Sequence, residues 1–291
     1  MSEFTTTIRR MFSEGDDRRD AGLTTPDDII RYDDIVYGTD PRWQSLDVYR
    51  PKAAVGKLPV IVSVHGGGWV YGDKERYQYY CMDLAQRGFA VVNYTYRLAP
   101  EHLFPAPMED TNTVFHWVLN NAEEYGFDTG SIFAVGDSAG ANMLGLYTAV
   151  CTNAEYAAKY DFIPPENFVP KAIGLTCGTY SMKKGDKQND PLLAEFMPNG
   201  GTEDEQAMLD VLSVINERFP PVFFMTCTGD FLQEEALKLA AALQKHSVPH
   251  VYRFYGDAQT GLGHVFHVNI RLPEAKRCND DTCNFFRSLC R

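Results

Sequence analysis

Residues 131–140, SIFAVGDSAG, run an apolar segment into Gly136, Asp137, Ser138, Ala139 and Gly140, and ANMLGLYTAV follows with helical spacing. A G-x-S-x-G pentapeptide between a strand and a helix is an arrangement that exposes a nucleophilic serine. Its glycines permit a sharp turn, and the helix start brings N–H groups and a positive dipole end beside the hydroxyl. Five residues alone match many ordinary tight turns; both flanks together favour a nucleophile at Ser138. A serine hydroxyl reacts poorly at neutral pH, so it needs a base within hydrogen-bond reach and an acid to orient that base. Asp230 closes the apolar run PVFFMTCTGD, and His264 follows the run HVYRFYG and the loop DAQTGLG. Asp257 is the other late carboxylate, but it comes after the last strand and only seven residues before that histidine, so Asp230 is the expected orienting acid.

The stretch VIVSVHGGGWVYGDK, residues 60–74, sends an apolar strand into three consecutive glycines. Ordering three glycines is entropically costly, so they need a positive reason. Acyl transfer supplies one: N–H donors aimed at the developing oxyanion are worth about 3 kcal/mol apiece. Gly67 and Gly68 can turn their amides there, with Ala139 adding a third from the helix start. A plain tight turn is the alternative for these glycines, and the serine motif elsewhere in the chain favours the oxyanion reading. Trp69 and Tyr77, just beyond, are candidates for a substrate pocket, or else ordinary core aromatics. His65 reads as a loop brace and His267, three residues past His264, as a packing or capping residue. The remaining histidines read as surface or core, and no grouping has metal-ligand spacing.

These residues need a scaffold that places strand ends side by side. From residue 45 onward short β-rich runs (SLDVYR, PVIVSVHG, FAVVNYTY, SIFAVGDS, AIGLTCG, PVFFMTCTGD, HVYRFYG) alternate with stretches of helical periodicity. The later runs are solidly apolar, as strands of a parallel sheet covered on both faces must be. An α/β fold, with a mostly parallel sheet and helices on both faces, is the expected class. Residues 1 to about 40 and about 179–218 fall outside the alternation and read as an N-terminal cap segment and a cap insertion on a main domain spanning 41–291.

Composition narrows the partners. Of 291 residues 27 are basic and 39 acidic, a net charge of -12, with no basic cluster interleaved with aromatics, which argues against nucleic acid and anionic membrane. Seven scattered cysteines without a C-x-x-C pair read as reduced thiols, several in apolar stretches. The N-terminal stretch shows no apolar leader and no run approaches a membrane span, so a cytoplasmic location is expected.

HGGGW at 65–69, YRLAPEHLFPAPMED at 96–110, GDSAG at 136–140, Asp230 and the His264-Val265-Phe266 run together resemble the hormone-sensitive-lipase-like branch of the α/β-hydrolase esterases, from about residue 42 to the end of the chain. The resemblance implies an α/β-hydrolase fold with a small cap, a Ser138–Asp230–His264 triad in that chain order, and an oxyanion hole of Gly67, Gly68 and Ala139. It implies a cofactor-free, metal-free serine carboxylesterase acting on small esters, with short acyl chains preferred. Deacetylation of acetylated sugars or xylo-oligosaccharides shares the chemistry and stays open. A non-catalytic ligand-binding relative would be expected to lack the histidine that this chain keeps at 264. One departure stands out: the family's aspartate is usually followed by proline and leucine, and here Asp230 is followed by Phe231 and Leu232. Arg97, Glu101 and Glu109 are expected to hold their loop through charge pairs.

Overall fold

Val60, Ile61, Val62 and Val64 are completely buried, because the strand they form has neighbours on both sides and helices on both faces. The computed structural model describes residues 2–182 and 190–290. Its strands are β1 (Ile29–Val36), β2 (Ser45–Pro51), β3 (Leu58–Val64), β4 (Ala90–Tyr94), β5 (Phe127–Asp137), β6 (Ile173–Thr176), β7 (Val222–Cys227) and β8 (His250–Tyr255). Its α-helices are α1 (Glu3–Asp20), α2 (Lys74–Ala85), α3 (Ala106–Asn120), α4 (Ala139–Thr152), α5 (Ala154–Ala157), α6 (Pro191–Phe196), α7 (Glu203–Leu209), α8 (Val211–Val214), α9 (Gln233–Lys245) and α10 (Pro273–Leu289).

The eight strands form one sheet in the order β1-β2-β4-β3-β5-β6-β7-β8. From β4 across to β8 the pairing is parallel, while β2 runs antiparallel to β4 and β1 antiparallel to β2. Apolar side chains of α3, α4 and α9 cover one face, and those of α2 and α10 the other. The strand order reverses at β3, which has β4 on one side and β5 on the other. Such a reversal opens a crevice at the carboxyl ends of the strands, and the loops after β3 and β5 border it.

Two segments give the crevice its surroundings. The N-terminal stretch expected to be a cap divides in two. Residues Ile29–Val36 belong to the sheet, where β1 is an edge strand with only Ile29 buried, so its sequence lacks the apolar run of the inner strands. The helix α1, capped by Ser2, lies against the loop after β3: Arg9 donates to the carbonyls of Val70 and Ala99 and pairs with Glu101 at 2.6 Å. Arg97 pairs with Glu109 and Asp110 at 2.8 and 2.9 Å, so Glu101 serves the helix and Glu109 its own loop. Of the expected cap insertion, residues 183–189 lie outside the described residues, and the rest holds α6, α7 and α8. Asn142 of α4 donates to the carbonyls of Thr179 and Leu209, tying the start of this insertion and the end of α7 to the helix that follows Ser138.

Candidate active site

Ser138 sits between β5 and α4 at φ 52° and ψ −119°, a backbone conformation that costs of order 1–3 kcal/mol unless its surroundings enforce it. They do. A Cβ on Gly140 would collide with the carbonyl oxygens of Val64 and His65, so the elbow packs against the end of β3 with no room for a side chain. Trp69, Cys177 and Val265 also have positive φ, and each lies in a loop at the carboxyl end of a strand. Four of the seven non-glycine residues with positive φ among the described residues thus stand at the crevice.

His264 is brought in by the loop after β8, which is stitched to the end of β7. Cys227 Sγ donates to the carbonyls of Leu262 and Gly263 at 3.3 and 3.2 Å, and the Leu262 amide donates to Thr228 Oγ1. His264 Nε2 then lies 3.0 Å from Ser138 Oγ, and its Nδ1 lies 2.7 Å from Asp230 Oδ1. Asp230 is buried. Burial alone would raise its pKa, but hydrogen bonds from His264, from the Thr226 hydroxyl at 2.6 Å and from the Leu232 amide at 2.9 Å outweigh it and leave the carboxyl below its ordinary value. It therefore stays ionised beside the imidazole, where an anion holds the ring's Nδ1–H and stabilises an imidazolium. Thr226 carried no signal in the sequence: a threonine inside an apolar strand run reads as β-former only.

The loop after β3 takes its shape from glycine. Gly67 has φ 115° and a Cβ there would run into the Tyr71 carbonyl. Among the described residues, none accepts a hydrogen bond from the amides of Gly67, Gly68 or Ala139, whereas the Gly66 amide donates to the Tyr77 hydroxyl at 3.1 Å. The loop after β3 and the first residue of α4 thus carry three amides without an acceptor among the described residues. His65 braces the loop: its ring stacks on Tyr96 at 4.0 Å and its Nδ1 lies 2.8 Å from the Gly66 carbonyl oxygen. Burial lowers its pKa to about 4, so it is a neutral strut.

Tyr77 and Trp69, the pocket candidates, are both buried. Tyr77 donates to Asp137 Oδ2 at 2.7 Å, which makes it a tie between the loop after β3 and the elbow. Burial pushes the Asp137 carboxyl up to about 6, with the Tyr77 hydrogen bond opposing. Trp69 stacks on Phe196 of α6 at 5.0 Å, and Leu192 of the same helix would stand 3.1 Å from a Cβ on Gly68. The insertion therefore closes over the glycine loop. His267 is buried with Nε2 3.2 Å from the Thr176 hydroxyl, and burial followed by the neighbouring His264 lowers its pKa to about 3; it packs, as expected.

One set of potential metal-ligand atoms occurs among the described residues, from Cys177, Asp230 and His264, all within 4.8 Å of one another. No spacing in the chain hints at it, because the three residues come from separate loops. Both ring nitrogens of His264 are already engaged by Asp230 and Ser138, so an ion there would have to take apart the serine–histidine–aspartate chain. All seven cysteines are free, and no described helix is long and apolar enough to cross a membrane.

The profile of the BD-FAE family matches residues 46–231. The chain is 38% identical over 235 residues to the carboxylic ester hydrolase LipN of Mycobacterium tuberculosis, covering 76% of this chain and 61% of LipN, less than two thirds of that protein's length. It is 26% identical over 248 residues to the versiconal hemiacetal acetate esterase of Dothistroma septosporum, covering 79% and 73% of the two chains. The solved structure of esterase B from Lactobacillus rhamnosis superimposes with a TM-score of 0.88 at 24% identity, covering 98% of this chain and 95% of that one, which shows a shared fold.

Proposed function

Because the chain belongs to the BD-FAE family, within the hormone-sensitive-lipase-like α/β-hydrolase esterases, we propose that it is a serine carboxylesterase that hydrolyses small, short-acyl esters through an acyl-enzyme intermediate. The observation that carries this reading is the hydrogen-bonded chain from Asp230 Oδ1 through His264 to Ser138 Oγ, at 2.7 and 3.0 Å. Ser138 Oγ attacks the ester carbonyl carbon while its proton passes to His264 Nε2. The former carbonyl oxygen becomes an anion and is received by the free amides of Gly67, Gly68 and Ala139. When the tetrahedral adduct collapses, the C–O bond to the alcohol breaks and the leaving oxygen takes the proton from Nε2. Water, deprotonated by the same nitrogen, then attacks the acyl-serine and releases the acid. Asp230, ionised throughout, orients the ring and stabilises its charged form.

Short acyl chains suit the site because α6 sits against the glycine loop through Leu192 and through the Trp69–Phe196 stack. Long chains would have to displace that packing, at a cost that grows with each methylene forced in. Cleavage of acetate esters in particular is a second reading, favoured by the similarity to a versiconal hemiacetal acetate esterase. Rapid mixing with p-nitrophenyl acetate tests the mechanism: a burst of about one equivalent of p-nitrophenol per chain is expected before the steady state. Hydrolysis that proceeds unchanged in Ser138→Ala would overturn it.

A further inference from the structure

Phe231 follows Asp230 directly and is 77% exposed, yet its ring lies only 4.3 Å, centroid to centroid, from the imidazole of His264, with the planes inclined at 40°. The backbone on either side of it is fixed. The Leu232 amide donates to Asp230 Oδ1, the Gln233 amide donates to the Asp230 carbonyl, and the Gln233 side chain donates to the Cys227 carbonyl. A large apolar ring is therefore anchored beside His264, inclined to the imidazole, with most of its surface bare. Single exposed apolar residues are common and need no explanation. This one touches the group that must hand a proton to the departing alcohol.

That contact fixes which part of a substrate it meets. The acyl carbon is bonded to Ser138 Oγ, its oxyanion faces the free amides, and the leaving oxygen must come within about 3 Å of His264 Nε2 to receive the proton. The atoms attached to that oxygen consequently lie beside the imidazole, within reach of whatever borders it. We propose that Phe231 is the wall of a leaving-group subsite, and that the site takes esters whose alcohol portion carries a flat aromatic ring close to the ester oxygen. An aromatic leaving group stacks offset on the exposed face of Phe231, buries apolar surface on both rings and stays aligned with Nε2. A small alkyl alcohol gains little from the same surface. The inference rests on the serine-esterase reading above.

Benzyl acetate and ethyl acetate share an acyl group and differ at the alcohol, so the ratio of their kcat/KM values within one protein isolates the subsite. In Phe231→Ala this benzyl-to-ethyl ratio is expected to fall about tenfold from the wild-type value, and in Phe231→Tyr, which keeps the ring, to stay within about twofold. A ratio unchanged in Phe231→Ala overturns the subsite. So does a parallel loss for both esters accompanied by a moved pH profile, which would make Phe231 a positioning residue for His264 instead. If the wild type hydrolyses neither ester, the esterase reading fails and the subsite with it. If it hydrolyses both while Phe231→Ala changes nothing, only the subsite fails.

Discussion

Two histidines near the carboxyl ends of the strands, His65 and His267, are buried and neutral, and they give the fold a measurable acid sensitivity. Burial lowers their pKa values to about 4 and about 3, against an ordinary value of about 6.5. In the unfolded chain each ring takes up a proton as the pH falls through about 6.5; in the folded chain it does so only near its lowered value. The unfolded state thus binds more protons in between, and stability drops as the pH falls through that window. From about pH 7 to about pH 5 the loss is about 2 kcal/mol for each ring, about 4 kcal/mol together. Asp137 works in the opposite sense. Its carboxyl, pushed up to about 6 by burial, takes up a proton in the folded state first and returns about 1 kcal/mol over the same interval. The net loss from the three groups is about 3 kcal/mol, a large part of a typical total of about 5–15 kcal/mol. Replacing His267 by Gln keeps a partner for Thr176 and removes one titrating ring. Urea unfolding followed by tryptophan fluorescence at about pH 7 and about pH 5 should show a drop in stability about 2 kcal/mol smaller in His267→Gln than in the wild type. Equal drops in the two proteins would refute the assignment of a neutral, proton-refusing His267.

Activity should separate the two neighbouring histidines: His264→Ala is expected to abolish hydrolysis of p-nitrophenyl acetate, while His267→Gln remains active, and comparable losses from both would mean the wrong base was chosen. Gly67→Ala places a Cβ against the Tyr71 carbonyl at φ 115° and turns an amide donor away, so kcat should fall by about a hundredfold or more; near-wild-type turnover in a folded variant would remove Gly67 from the oxyanion site. Specificity constants along p-nitrophenyl esters from acetate to palmitate should peak at short acyl chains, and a maximum at twelve carbons or beyond would point to a lipase.

What the chain revealed before folding depended on how local each signal was. Ser138 and Asp230 stand just beyond apolar strand runs and His264 follows the last strand by one loop, so their positions at one edge of a parallel sheet followed from the order of the runs, and the structure brings the three within hydrogen-bond distance. The glycine loop was legible because three successive glycines have few other uses. The edge strand β1 was not, since a strand with only Ile29 buried has the composition of a surface loop. Its attachment runs partly through Lys74, a buried ammonium that meets Asp34 at 2.8 Å and Asp47 at 3.0 Å, a cluster assembled from three elements distant in sequence. Tyr77 read as a possible pocket wall because an aromatic beside a glycine loop can face either way, and only the position of Asp137 decides that its hydroxyl points inward. Phe231 was visible as a departure after Asp230, while its contact with His264 required the fold.

Everything proposed for the reaction turns on Ser138 as the nucleophile, which covalent labelling can establish. A p-nitrophenyl alkylphosphonate with a short alkyl chain reacts with an activated serine and stays attached, so intact mass after incubation should rise by one phosphonyl group. Peptide mapping should then place that group on Ser138, and removal of the nucleophile should lower turnover on the order of a millionfold. The expected result is one label at Ser138 in the wild type and none in Ser138→Ala. A label on another residue, or labelling of Ser138→Ala at the wild-type rate, would show that the reaction does not run through this serine.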